Sequence, residues 1–398
     1  MGISSIVKSI KDEQKKRELL EKLNSLPMKR IRTFHPVGQG AFYTERHSVG
    51  KDDEFTIVYD CGTMTKNGGK TLEKSIVSAF PKGQDIDILF ISHFHEDHIN
   101  GIKFLAGYCN IKQVVMPLMD KTAIILSKVS NYLNGGAFDE ELIDDTEKFF
   151  GDNTSIIKIK PADIGQEARA IDPESRREIE KGSIEKDSGT IFSVPNQYTI
   201  HDWCFIPFNY KHVERQKQFE SILKKRNIDL NSMTIEKINE CRKEILEAYK
   251  EVDGDPNINS MVLFSGRIGG EDDFVECFGR CQYYHRYCHC FASGCLYTGD
   301  VDLNQKMIIK NIEQRLGRFS DSIGTVQIPH HGSKHNFNKS ILFSNVCCTV
   351  FSYGTVNQYG HPSVRVFEDV IAFGTYPHLV TEDPNSIMTQ RIVCKFTT

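Results

Sequence analysis

The chain has 398 residues, 39% apolar and 26% charged, with a formal net charge of −4, the profile of a globular protein able to bury a large core in one or two domains. So small a charge argues against coating nucleic acid by bulk attraction and leaves only a local basic strip. No run approaches the roughly 18 apolar residues of a membrane span, so no membrane association is expected. Residues 1–26 read as an amphipathic helix carrying Ile6, Ile10, Leu19, Leu20 and Leu23 and stopped by Pro27. This segment is too charged for a secretion signal, and Ile6 stands where a myristoylation pattern needs Ser or Thr. Twelve Cys without such a signal point to a reducing, cytoplasmic location.

From residue 29 to 62 the pattern changes to strands, in RIRTFHPVGQGAFYTE and EFTIVYDCG. A helix is expected over 71–80, a buried strand over 86–92 and another over 112–117. Residues 119–199 are polar and weakly periodic, and read as an insertion, helical near 121–150. A strand resumes at 203–207. A helical hairpin follows, about 213–226 and 232–250, with Ile235, Ile238, Ile245, Leu246 and Tyr249 on one face. Residues 259–265 and 294–298 look like paired core strands with a Cys-rich segment between them. The end, 324–396, alternates strands with a helix. The expected organisation is an N-terminal helix, 1–28, then one domain, 29–398, interrupted by insertions at 119–199, 213–251 and 267–293.

The segment DILFISHFHEDHING groups His93, His95, Asp97 and His98, three imidazoles and a carboxylate at ligand spacing, just beyond an apolar strand. That set suits divalent metals such as zinc or manganese better than it suits packing. Three further strand ends carry polar chemistry: Tyr297-Thr298-Gly299-Asp300, Pro329-His330-His331-Gly332-Ser333, and Asn357-Gln358-Tyr359-Gly360-His361-Pro362-Ser363. A carboxylate after Gly can bridge two metals, and a His pair beyond a strand can supply one more ligand. Five Cys (277, 281, 288, 290 and 295) fall within 19 residues. Cys277, Cys281, Cys288 and Cys290 are candidates for an additional structural zinc, whereas Cys295 reads as strand core. His35, His47 and His378 are assigned no role.

The order HxHxDH, GD, HHGS, GHPS resembles the metallo-β-lactamase superfamily, and more closely the soluble metallo-β-lactamase-type domain of ComEC-type DNA-uptake proteins. Val37-Gly38-Gln39-Gly40, Tyr59-Asp60-Cys61-Gly62 and Asn259-Ser260-Met261-Val262-Leu263 support it. The resemblance implies an α/β fold, an αββα sandwich with helical and Cys-rich insertions, around two divalent ions. It implies His93 and His95 on one metal, Asp97 and His98 on the other, Asp300 bridging, and either His330 or His331 completing the second site. Asn257, Asn259, Ser260, Ser333 and His361 become candidates for substrate contact, with Asp97 and His361 as catalytic groups.

Two such metals can clamp the attacking and leaving oxygens of a displacement and lower the pKa of a bound water. The expected function is therefore a metal-dependent hydrolase, leading with phosphodiester cleavage of DNA or another nucleotide substrate. Alternatives are a hydrolase of small esters, lactams or phosphoesters, or a subunit whose insertions dock a protein partner. Lys334 is the leading basic contact, with Lys211 and Arg215 behind it.

Overall fold

The structure, a computed structural model, describes residues 10–24, 28–50, 54–133, 139–164, 184–195, 197–199, 203–229, 237, 240–252, 259–267, 273–278, 292–305 and 307–394. Two large sheets face each other. The first has nine strands, in the order Asp273–Phe278, Met388–Cys394, Met28–Phe34, Gly40–Val49, Phe55–Thr63, Ile88–Phe90, Gln113–Pro117, Ser155–Ile159 and Ile184–Lys186. The second has seven, in the order Phe192–Ser193, Trp203–Lys211, Asn259–Arg267, Gly294–Tyr297, Ile323–Gln327, Cys348–Ser352 and Tyr376–Val380.

Alternation along each strand explains the layers. Ile57, Tyr59, Ile88 and Phe90 point between the sheets and meet Trp203, Leu263, Tyr297 and Val350 there. Their neighbours Val58, Leu89 and Ile91 point the other way, against the helices Gly68–Ala79 and Ile102–Tyr108. On the far side Val262, Phe264 and Leu296 pack against the helices Ile308–Leu316 and Val364–Phe373. Strands covered on both faces must be apolar on both, which is why they read as continuous apolar runs. The result is an αββα sandwich.

Each sheet changes character halfway. The first is antiparallel as far as Phe55–Thr63 and parallel from Ile88–Phe90 onward. The second is antiparallel up to Gly294–Tyr297 and parallel beyond it. The two changeovers are tied together where Met261 N–H donates to Ser92 O (2.8 Å) and the Tyr59 hydroxyl donates to Met261 O (2.8 Å). Such switch points leave a crevice beyond the strands' carboxyl ends.

A polar network crosses the sandwich interior. Arg32 pairs with Glu45 at 2.7 Å and donates to Gln390 at 2.8 Å, while Tyr297 and Ser265 donate to Glu45. Burial works against the Glu45 charge, but Arg32 outweighs it and holds the carboxyl at about 2.

Several expectations need correcting. The 119–199 segment is not one insertion: Ser155–Ile159 and Ile184–Lys186 belong to the first sheet and Phe192–Ser193 to the second. Their brevity, five residues at most, hides the strand period. The segment does hold the helices Lys121–Leu133, Glu140–Asp144 and Thr146–Phe150. Nor is 267–293 wholly an insertion, because Asp273–Phe278 forms the edge of the first sheet, with Cys277 in register with Gln390. Cys281, Cys288 and Cys290 lie outside the described residues, as do Asn257, Ile235 and Ile238. The 213–251 region gives the helices Val213–Lys225 and Arg242–Glu251, whose Phe219, Leu223, Ile245 and Ala248 pack with Leu126 and Val129 of helix Lys121–Leu133. The N-terminal helix spans Glu13–Asn24, and residues 1–9 and 25–27 lie outside the described residues. The strand Tyr376–Val380 was not expected. No helix among the described residues is long and apolar enough to cross a membrane.

Candidate metal centre

Four chain segments reach the crevice from different strand ends. After Ile88–Phe90 the chain turns through His93 and His95 into a single helical turn, Glu96–Ile99, which carries Asp97 and His98. That turn lies directly on Gly62: a Cβ there would sit 2.5 Å from the Asp97 and His98 backbone. After Gly294–Tyr297 the chain turns at Thr298-Gly299, where both N–H groups donate to the buried Gln327 side chain (2.8 and 2.9 Å). The turn delivers Asp300, whose N–H donates to Ser260 Oγ (3.2 Å) and whose carbonyl accepts from Asn336 (3.0 Å). After Ile323–Gln327 come three successive left-handed residues, His330, His331 and Gly332, at φ 46°, 55° and 87°. Two of them carry side chains, so the loop stores on the order of 1–3 kcal/mol of strain at each. The fourth segment, after Cys348–Ser352, carries His361.

The convergence forms two overlapping ligand groups. Asp97, His98, Asp300 and His331 make one, and His93, His95 and Asp300 the other; within each, one ligand atom per residue lies within 4.8 Å of the rest. Asp300 is common to both. Its Oδ1 lies 3.2 Å from His98 Nε2, and its Oδ2 lies 3.6 Å from His93 Nε2. Of the two adjacent histidines it is His331 that joins a group, with Nε2 3.0 Å from Asp97 Oδ2. His330 stands beside it, Nε2 3.8 Å from Asp300 Oδ2 and Nδ1 3.0 Å from Asn336 Oδ1.

The hydrogen bonds behind the rings fix which nitrogen carries the proton. His331 Nδ1 meets the Ser352 carbonyl at 2.7 Å, and a carbonyl only accepts, so Nδ1 holds the hydrogen. His98 Nδ1 donates to Asp60 Oδ2 at 2.7 Å. Ser92 spends its own hydroxyl hydrogen on Asp60 (2.6 Å), so its oxygen accepts from His93 Nδ1 (2.9 Å). Three imidazoles therefore aim an Nε2 lone pair into the centre, the arrangement a metal requires. Ser130 Oγ engages His95 Nε2 at 3.3 Å, which leaves Nδ1 as that ring's ligand atom. His93 Nε2, His98 Nε2 and Asp300 Oδ1 are buried without a hydrogen-bond partner, although the last two approach each other. Lone pairs facing a carboxylate at these distances repel unless a proton or a metal cation stands between them. The donor set, imidazole nitrogens and carboxylates, suits zinc or manganese.

A proton on His98 Nε2 does the work of a cation when no metal stands between His98 and Asp300. Burial would lower His98, but the carboxylates of Asp300, Asp60 and Asp97 outweigh it and raise it well above its ordinary value. Burial and the nearby His98 charge push His93 well below its own. For Asp300 burial is outweighed by His330, His98 and His93, and for Asp97 by His98 and His331, so both are held below the ordinary carboxylate range. Asp60, by contrast, is raised by burial.

Support comes from an unexpected direction. The last turn of helix Lys121–Leu133 supplies Ser130 and also Asn131, whose amide donates to Phe94 O (2.7 Å) and accepts from Glu96 N–H (2.9 Å). A buried asparagine thus spans the metal-motif loop on its backbone. On the open side, Asn357 accepts from the N–H groups of Tyr359 (3.1 Å) and His361 (3.0 Å) and donates to Gly354 O and His361 O, both at 2.7 Å.

Residues 49–156 match the family model of the metallo-beta-lactamase superfamily. The αββα sandwich and the motif geometry agree with that family. Among solved structures, the metallo-beta-lactamase fold protein YhfI from Bacillus subtilis is similar at 9% identity, over 89% of this chain and 97% of that one, with a TM-score of 0.38. No curated protein matches the sequence.

Set against the sequence reading, His93, His95, Asp97, His98, Asp300 and His331 are brought together, and His330 flanks them. His361 is half-buried at the rim, its ring 5.5 Å from that of His330. Ser260 and Ser333 were expected to touch substrate. Both are buried, and their hydroxyls accept backbone N–H groups, of Asp300 and of His335 (3.2 Å each). Asn259 begins its strand, in register with Lys211. Lys211 is paired with Asp120, and Arg215 with Asp302 at 2.5 Å; Lys334 is exposed. Sequence reasoning assigned no role to Asp60, Ser92, Ser130, Asn131 or Asn336. Asp60 carried a signal, the Tyr-Asp-Cys-Gly match at a strand end; Asn131, in an ordinary amphipathic helix, carried none.

Proposed function

We propose that this chain is a dinuclear-metal hydrolase that cleaves phosphodiesters of DNA or of another nucleotide-containing substrate. One observation carries the dinuclear part of the reading: Asp300 offers each carboxylate oxygen to a different histidine group, with lone pairs converging on it that a proton cannot all satisfy. His93, His95 and Asp300 would hold one divalent cation; Asp97, His98, His331 and Asp300 would hold the other. When bound, such a pair supplies Lewis-acid polarisation of phosphoryl oxygens and activation of water.

The protein's own groups do the rest. Asp97, held anionic by His98 and His331, can accept a hydrogen bond from the attacking water and orient it. His361, at the rim beside His330, can donate to a phosphate oxygen or to the leaving group. Lys334, exposed next to Ser333, adds positive charge where an anionic backbone would pass, while Lys211 and Arg215 are neutralised by their carboxylate partners. The ComEC-like resemblance points to the same substrate class.

The test is a screen of metal-loaded protein, with zinc or manganese, against plasmid, linear and single-stranded DNA, RNA and model phosphodiesters. The reading expects cleavage that is lost on chelation and weakened by salt as counterion release is lost. Hydrolysis of a small ester or lactam, with every phosphodiester left intact, would replace it with the small-molecule reading.

A further inference from the structure

The rim loop between Ser352 and Val364 carries a feature that the hydrolytic reading does not use. Tyr359 is 58% exposed, and Val356 and Val364 on either side are 88% and 72% exposed. An exposed aromatic is ordinary when its loop is loose. This loop is not loose. The Asn357 amide makes four hydrogen bonds inside it, two of them holding the N–H groups of Tyr359 and His361. The loop is also tied at its base, where Gly354 N–H donates to Gln39 Oε1 (3.3 Å) and Thr355 N–H to Glu382 (3.0 Å).

The ring carried by this ordered backbone is the outermost of a short series leading to the candidate metal centre. Tyr359 lies nearly parallel to His361, at 17° and 5.9 Å between centroids. His361 meets His330 edge-on at 5.5 Å, and His330 Nε2 is 3.8 Å from Asp300 Oδ2. An aromatic face fixed beside a phosphodiester site suits a flat, polarisable ring carried by the substrate close to the scissile phosphate. A nucleobase is such a ring, and stacking on an exposed aromatic tolerates any base. Because the loop is already ordered by Asn357, little conformational entropy remains to be lost on binding. Bases inside a duplex are already stacked on their neighbours and cannot use the ring without being pulled out.

We propose that Tyr359 is a stacking platform for an unpaired nucleobase next to the scissile phosphodiester, so that the site prefers single-stranded nucleic acid or a frayed end over continuous duplex. The inference rests on the phosphodiesterase reading for the word scissile, and its test separates the two. Metal-loaded protein is mixed by stopped flow with single-stranded DNA carrying a fluorescent base analogue. Parallel arms use the RNA strand, the duplex, and a strand abasic at the probed position; quenching reports binding, and product is followed separately.

Tyr359→Ala should weaken single-strand binding on the order of tenfold to a hundredfold and raise KM with it. It should leave metal content unchanged and kcat within about twofold, and Tyr359→Trp should restore binding. The abasic strand should bind wild type and Tyr359→Ala alike. Whether the DNA or the RNA strand shows the larger Tyr359 effect identifies the source of the base. Equal single-strand affinity in wild type and Tyr359→Ala, or an equal loss on the abasic strand, overturns the platform even if cleavage is seen. Tyr359-dependent quenching without cleavage upholds the platform and removes the hydrolytic reading. Failure of wild type to bind any single strand removes the platform outright.

Discussion

Asp60→Asn changes one atom and should reverse two imidazoles. Asp60 Oδ1 accepts the Ser92 N–H at 2.7 Å, which keeps the amide oxygen of an asparagine on that side. The amide nitrogen then replaces Oδ2, facing His98 Nδ1 (2.7 Å) and Ser92 Oγ (2.6 Å) in the wild type. An NH₂ group donates to both. His98 Nδ1 must then accept, which moves its proton to Nε2, inside the metal centre. Ser92 Oγ, no longer donating to residue 60, turns its hydrogen to His93 Nδ1 and forces the same exchange there. Each cation now has to displace a proton before it can bind. Loss of one such supporting partner lowers metal affinity by about 10- to 100-fold, or 1.4–2.7 kcal/mol, and with two rings affected the upper end is expected. The measurement is zinc affinity by competition with a chromophoric chelator, alongside thermal unfolding of metal-free protein. The fold should survive, because burial already disfavours the Asp60 charge. Zinc affinity within about threefold of wild type would refute the tautomer argument.

Asp300→Ala withdraws an oxygen from each ligand group at once, so metal content should fall toward zero and hydrolysis with it, while circular dichroism is unchanged; retention of both metals would exclude Asp300 as their bridge. Asn131→Ala leaves Phe94 O and Glu96 N–H without their shared partner, at about 1–3 kcal/mol for each unsatisfied group; the urea midpoint and zinc affinity should fall together, and an unchanged midpoint would mean that water replaces both bonds. His35 is held near a pKa of about 3 by burial and by Arg46. The unfolded chain therefore binds the extra proton between pH 6.5 and 3, and stability is lost as pH falls through that window, by about 1.4 kcal/mol per unit. Urea titrations of wild type and His35→Gln should diverge at neutral pH and converge on acidification; parallel curves would show that His35 takes up its proton alike in the folded and unfolded chain.

The candidate cluster could be read from sequence because its chemistry is local: His93, His95, Asp97 and His98 sit on one strand exit, where imidazole and carboxylate have little packing use. The choice between His330 and His331 could not be made there, since it depends on left-handed dihedrals at both residues and on the Ser352 carbonyl that takes one ring nitrogen. The strands Phe55–Thr63 and Asn259–Arg267 announced themselves through apolar runs buried on both faces. Ser155–Ile159 and Ile184–Lys186 did not, because the first is a five-residue strand interrupted by Lys158 and the second is a three-residue edge strand whose Glu and Lys resemble a polar loop. The role of Asn131 is a tertiary accident of where one helix ends, and no spacing in the sequence encodes it.

The separation of the ligands along the chain bears on how such a centre tolerates growth. Asp60 and His98 are 38 residues apart, whereas Asp97 and His331 are 234 apart. Closing a flexible loop becomes costlier only with the logarithm of its length, about 0.6 kcal/mol per doubling. The longer closure is thus only roughly 1.6 kcal/mol more expensive than the shorter. Between those strand ends the chain can accept whole helices, such as Val213–Lys225 and Arg242–Glu251, for less than one well-packed leucine contributes. The crevice is set by the docking of two sheets, and the polymer connecting them is almost indifferent to how much is spliced into it.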